Sequence, residues 1–161
     1  MKKFLFQSIL LLIIIGVALF FFMTGSSLFN LPFFPQESAA GQLQINEAKF
    51  KVEIADTQAE RSKGLGGRQS LASDEGMLFI FPEVSKYPFW MKGLKFPLDF
   101  IWIRGEIVVD ITENAKPPKS GQPDSELPMY QSKVDIDKVL EIPAGSVQKY
   151  NIKAGDIIKV T

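Results

Sequence analysis

The chain divides sharply near its beginning. From Ile9 to Met23 there is no charged or strongly polar side chain, and twelve of these fifteen residues are Leu, Ile, Phe or Val. Phe4, Leu5 and Phe6 extend the apolar run back toward Lys2 and Lys3. About twenty residues of helix span the roughly 30 Å hydrocarbon core of a bilayer. At roughly −0.3 to −0.6 kcal/mol per large apolar residue, insertion is favoured by several kcal/mol. A buried soluble helix fits poorly, because the segment has no polar face. Lys2 and Lys3 orient a membrane helix with its start in the cytoplasm. The expectation is therefore a cytoplasmic stub over residues 1–3, a single transmembrane anchor in the bilayer over 4–23, a linker over 24–41 and an extracytoplasmic domain over 42–161. A cleaved signal peptide, releasing a secreted domain, is the second reading. Its small-x-small site would be Ser38 to Ala40, well beyond the end of the apolar run. The linker is itself greasy at Leu28, Phe29, Leu31, Phe33 and Phe34, which suits the headgroup region as well as packing on the domain.

Composition narrows the chemistry. Lys2 and Lys3 are the only charged residues before Glu37, so the rest of the chain holds 16 basic and 18 acidic residues, a net of −2. That balance makes no basic surface for a phosphate backbone, and nucleic acid is not an expected partner. Cysteine and histidine are both absent. Disulfides, thiolate nucleophiles, Cys/His zinc sites and His-dependent triads are thereby excluded. Asp110, Glu113, Asp124 and Glu126 lack the alternating Asp/Asn spacing of a calcium loop, so no metal is expected. Nor is a cofactor. The Gly64–Gly67 stretch lacks the lysine and Ser/Thr of a phosphate loop.

Past the linker, the pattern is that of short strands. Phe50, Val52 and Ile54 alternate with Lys51, Glu53 and Ala55, as in a strand with one covered face. Thr57 and Glu60 then have capping-box spacing, which predicts a two-turn helix starting near Gln58 and stopping at Gly64-Leu65-Gly66-Gly67. Residues 76–81 read as a short buried strand closed by Pro82, and residues 88–91 as another extended piece. Two strands apolar on both faces, 98–103 and 106–111, meet at Arg104-Gly105, a hairpin signal. A Pro/Gly/Ser-rich loop follows over 114–129, then a strand over 137–142 and a last one ending near Val160. Six or seven strands, one or two short helices and no βαβ rhythm predict a mainly β, compact, antiparallel barrel-like domain.

Six landmarks in this region, VEIADT, AERSKGL, GMLFIF, FWMKGLKFPLDFIWI, VLEIPAG and IKAGD, occur in that order between residues 48 and 160. Together they resemble the family called domain of unknown function 192, small bacterial and archaeal domains often found behind a signal or anchor. The resemblance implies a compact, mostly-β domain and no particular reaction. One departure is Gly66-Gly67, where the family commonly has a bulky apolar residue; it is expected to loosen the segment presenting Arg68.

The candidate site grows out of charges set in apolar runs. Alternation puts Trp90 and Lys92 on one face and Phe89 and Met91 on the other. Asp99 shares a face with Ile101 and Ile103, while Leu140 and Ile142 flank Glu141. A buried carboxylate is costly unless hydrogen-bonded or paired. Arg61, Arg68 and Lys92 are partners of the right type. One reading gathers Arg61, Arg68, Trp90, Lys92, Asp99 and Glu141 at one mouth of the barrel to grip a small polar or carbohydrate-like ligand, with Trp90 stacking on it. On that reading Asp99→Ala weakens ligand binding more than it lowers stability. The alternatives are a hydrolase using Asp99 and Glu141 as acid and base, a partner-docking module presenting residues 114–129, and carboxylates that merely lock the barrel. Trp102, sharing a face with Leu98 and Phe100, reads as core.

Overall fold

The computed structural model describes residues 11–13, 15–17, 19–20, 22–23 and 39–161. The described residues before Thr24 are helical. Among the described residues, no helix is long and apolar enough to cross a membrane. The expected stub, most of the expected linker and about half of the expected anchor lie outside the described residues. Residues 38–161 form a compact unit in themselves.

Its first hairpin, which the sequence pattern did not predict, joins β1 (Ala40–Ile45) to β2 (Ala48–Ala55). Asn46 takes the tight turn at φ 53°, a conformation asparagine tolerates, and its amide donates to Asp156. After β2 the capping box forms as expected. The Thr57 hydroxyl accepts from the Glu60 amide and the Glu60 carboxylate accepts from the Thr57 amide. The helix α1 (Gln58–Lys63) ends at Gly64.

The chain then returns to run parallel to β2 as β3 (Glu75–Ser85). Two expectations are corrected here. The sheet is not wholly antiparallel, and β2–α1–β3 is a βαβ unit. A tight hairpin cannot place strands side by side in the same direction, so this pair needs a crossover. A six-residue helix and the glycine-rich stretch after it are enough to carry the crossover. β3 also continues through Pro82 instead of closing there, its pairing with β6 slipping between Ile80 and Ser85. Residues 88–91 form no strand, only a bridge from Phe89 to Tyr130.

β4 (Leu98–Arg104) and β5 (Ile107–Ala115) make the expected hairpin. β6 (Ile136–Pro143), α2 (Ser146–Lys149) and β7 (Ile158–Val160) complete the described elements, apart from a short 3-10 turn at Asp124–Glu126. The seven strands form one curled sheet in the order β5-β4-β6-β3-β2-β1-β7. This half-barrel brings its two edges together at one place, where Ile107 bridges Ile157 and the Val108 amide donates to Asp156 at 2.9 Å.

Both faces of the sheet are covered. Leu78, Ile101, Ile103, Leu140 and Ile142 fill one cluster with Val147 of α2. Met77, Phe79, Phe100, Trp102 and Val139 fill the other, capped by Leu65, Met91 and Leu94 from the connecting segments. Burial on both sides is why β4 is apolar at nearly every position.

Candidate functional site

Strand register decides the fate of the two inward carboxylates. β4 and β6 pair so that Asp99 lies opposite Ile142 and Phe100 opposite Glu141. Cross-strand partners share a face and neighbours along a strand alternate. Asp99 and Glu141 therefore point to opposite sides of the sheet.

Asp99 is fully buried, at 0 % exposure, and satisfied. One carboxylate oxygen accepts the Asn114 amide at 2.8 Å and the other accepts the Val147 amide at 3.0 Å. The first bond holds the end of β5. The second fixes the opening turn of α2, which no side chain of its own caps. Asp99 is a structural acceptor here, which corrects the expectation that it joins the other candidates.

Glu141 is 4 % exposed, and its carboxyl group has no hydrogen-bond or ion-pair partner among the described residues. No fully enclosed side-chain oxygen or nitrogen lacks a partner, so its carboxyl group must reach open space. That space is a narrow pocket of about 60 Å³, with Glu141 in its lining together with α1, the glycine turn, Phe89, Trp90 and Lys92. Burial alone pushes the Glu141 carboxyl up to about 8, so at neutral pH it is mostly protonated.

The pocket's frame depends on glycine. The Gly67 amide donates to the Gly93 carbonyl at 3.0 Å, and a side chain on Gly93 would start 3.8 Å from the Gly66 backbone. The two turns can meet there because Gly67 (φ 81°) and Gly93 (φ 72°) hold a left-handed backbone that glycine adopts freely. Gly66-Gly67 thus tie the segment to its neighbour, and the expected loosening of Arg68 does not occur. At the back, a Cβ on Gly76 would lie 2.8 Å from the Glu141 carbonyl, so β3 can pass β6 there only with glycine.

Four of the six predicted residues meet at this pocket: Arg61, Trp90, Lys92 and Glu141. Arg61 donates to the backbone carbonyls of Asp56 and Ile80 and lies over the Phe81 ring. Trp90 is 44 % exposed, and the Lys92 ammonium sits 5.2 Å from its ring centre. Lys92 also pairs with Asp124 at 2.5 Å, fastening the 114–129 loop to the pocket rim. Within that loop Ala115 and Leu127 are buried, while most of its residues, Met129 among them, are exposed. Arg68 lies elsewhere. It grips Glu53 with two bonds of 2.6 and 2.7 Å, and its guanidinium holds the Glu53 carboxyl below the usual range. Asp99 borders a separate hollow beside Glu113 and Gln148. Lys63, Phe79 and Phe89 belong to the pocket and were not predicted. Lys63 ends an ordinary exposed helix and the two Phe look like core, so nothing local distinguishes them.

A groove of about 420 Å³ opens beside the pocket and shares Arg61, Ser62, Phe79 and Phe89 with it. Phe81 and Tyr87 line the groove and stack at 3.7 Å between ring centres. A roomier groove of about 540 Å³ runs from Ala40 to Gly76 along β1–β3. Its charges are solvated or paired, as Lys51 is with Asp74, and it holds no buried polar group seeking a partner.

A small, mainly β domain with a polar-based pocket beside an aromatic groove is the class these features define. The chain belongs to the family of domain of unknown function 192 (Uncharacterized ACR), which matches residues 41–160. Solved structures similar to it include the following two. One is of a transcription-regulator candidate from Sinorhizobium meliloti 1021, at 29 % identity and a TM-score of 0.70, covering 78 % of this chain and 97 % of that one. The other is of a protein of unknown function from Novosphingobium aromaticivorans DSM 12444, at 28 % identity and a TM-score of 0.66, covering 76 % and 94 %. No curated protein matches.

Proposed function

We propose that this protein is a membrane-anchored binding domain that takes a small polar, carbohydrate-like ligand at the cell envelope, outside the cytoplasmic membrane. The observation that carries the binding role is Glu141: a buried carboxyl without a protein partner, reaching a pocket that continues into an aromatic groove. An unpaired polar group is expensive to bury and gains when a ligand completes its hydrogen bonding. The exposed Trp90 ring supplies a stacking face, and Phe81 and Tyr87 extend the apolar wall. Anchoring rests on the uncharged run from Ile9 to Met23 behind Lys2 and Lys3. The transcription-regulator wording of the Sinorhizobium neighbour finds no support in residues 37–161, whose net charge is −2. Hydrolysis by a carboxylate pair is disfavoured, because Asp99 and Glu141 face opposite sides of the sheet.

The test is a nuclear magnetic resonance titration of the full chain with envelope monosaccharides and small organic acids, reading the indole N–H of Trp90. A saturable shift that Glu141→Leu abolishes is the expected result. If every compound leaves the indole unmoved, the binding role is wrong. Protease added outside the cytoplasmic membrane of otherwise intact cells should digest residues 42–161 and spare cytoplasmic proteins; digestion of the domain only after lysis would overturn its outward placement.

A further inference from the structure

The charges around Glu141 define the ligand more narrowly. The pocket lining includes three cationic side chains, Arg61, Lys63 and Lys92, and a single carboxyl, Glu141. Every element packed around that carboxyl can be accounted for. From α1 come Arg61 and Lys63, and from the segment after Phe89 comes Lys92. The glycine turn brings no charge, and the strand partners of Glu141 are Met77 and Phe100. Outside the lining, Asp124 pairs with Lys92, and Glu83 lies in the adjoining groove. None of the three cations pairs with Glu141: Arg61 is turned to two backbone carbonyls, while Lys63 acts on Glu53.

We infer that the ligand enters this pocket with an acidic group, a carboxylate in size and charge, which accepts a hydrogen bond from the Glu141 carboxyl at the base while Arg61, Lys63 and Lys92 line its approach. The inference rests on the binding role proposed above and names the ligand's class. A pocket of about 60 Å³ has room for a few heavy atoms and not for a whole ring. The rest of the ligand lies in the adjoining groove, against Phe81 and Tyr87. A protonated carboxyl and a carboxylate share one proton in a strong charge-assisted hydrogen bond. The surroundings favour this order of protonation, since burial keeps the proton on Glu141 at neutral pH. A protonated amine, by contrast, would have to pass Arg61 and Lys63, with Lys92 offset by Asp124. Above the Glu141 titration the pocket base becomes negative and the acidic group is repelled.

The experiment uses three probes of one size, sodium acetate, methylammonium chloride and ethylene glycol, titrated into the full chain at constant ionic strength. Binding is read at the Trp90 indole. The buried Trp102 indole, bonded to the Thr112 hydroxyl, reports that the fold is intact. Acetate is expected to bind at least tenfold more tightly than methylammonium at pH 6.5, and at least tenfold more weakly at pH 9.5 than at pH 6.5. Glu141→Gln, which has no proton to lose in this range, should bind acetate equally at both pH values. Binding of methylammonium or glycol in preference to acetate overturns the inference and leaves the pocket standing. Acetate binding with the same affinity at both pH values in the unsubstituted chain also overturns it. If none of the three moves Trp90, the pocket reading falls as well.

Discussion

Asp99 and Glu141 sit on neighbouring strands, one residue apart in register, and are equally apolar in their sequence surroundings. Their environments have opposite consequences. On its side of the sheet Asp99 meets two amides, one closing β5 and one opening α2, and becomes a tie between elements. On the other side Glu141 has Met77 and Phe100 as strand partners and a narrow pocket before it, with no hydrogen-bond donor supplied to its carboxyl among the described residues. The difference teaches that burial by itself does not mark a functional carboxylate. What separates a brace from a candidate site is whether the fold supplies the missing partners.

The contrast is broken most readily at Glu141. Because its folded carboxyl titrates near 8, above the ordinary 4.5, its burial is unopposed below pH 4.5 and becomes a growing penalty as pH rises toward 8. Glu141→Gln should therefore gain stability relative to the unsubstituted chain between pH 4.5 and 8.5, by roughly 3–5 kcal/mol at the upper end. Denaturant melts of both proteins across that range measure the difference, and parallel profiles would mean that Glu141 is charged and solvated. Asp99→Ala should lower stability at pH 7 by about 3 kcal/mol, since it strands two buried amides. Ligand binding at Trp90 should survive; a lost titration in a well-folded Asp99 variant would join the two carboxylates in one site after all.

Gly76→Ala sharpens the comparison from behind the strand. The added methyl collides with the Glu141 backbone, which calls for a loss of about 2 kcal/mol in a thermal melt. A neutral result would show that β6 yields easily at Glu141. The smallest effect is expected of Trp90→Ala. An exposed ring on the pocket rim should change stability by less than about 0.5 kcal/mol while removing ligand binding. A large drop in melting temperature would instead make Trp90 part of the core, as the wholly buried Trp102 is.

Much of this was legible in the chain. The capping box at Thr57 and Glu60 starts α1 where spacing places it, because it depends on four consecutive residues only. The two-sided apolar run of β4 likewise declares a strand covered on both faces, whereas β5, which reads the same way, is the edge strand and only partly buried. β1 was not legible, since Ala40–Ile45 offers only Leu43 and Ile45 as an alternating signal. The parallel pairing of β2 with β3 was hidden as well, because a six-residue helix is shorter than the usual crossover signature. At the site, the burial of Met91 beside exposed Trp90 and Lys92 followed from simple alternation. The Lys92–Asp124 pair joins residues from separate loops and left no local trace.

By itself, then, the sequence determined the kinds of chemistry open to this protein, its strand-rich character and the division between an apolar leader and a domain. These are properties of composition and short-range period, which every residue carries with it in any conformation. Only the tertiary structure decided that Asp99 is braced and Glu141 is left open. That outcome depends on which backbone amides and side chains arrive from distant segments on each face of the sheet, and pairing register, not residue type, sets it.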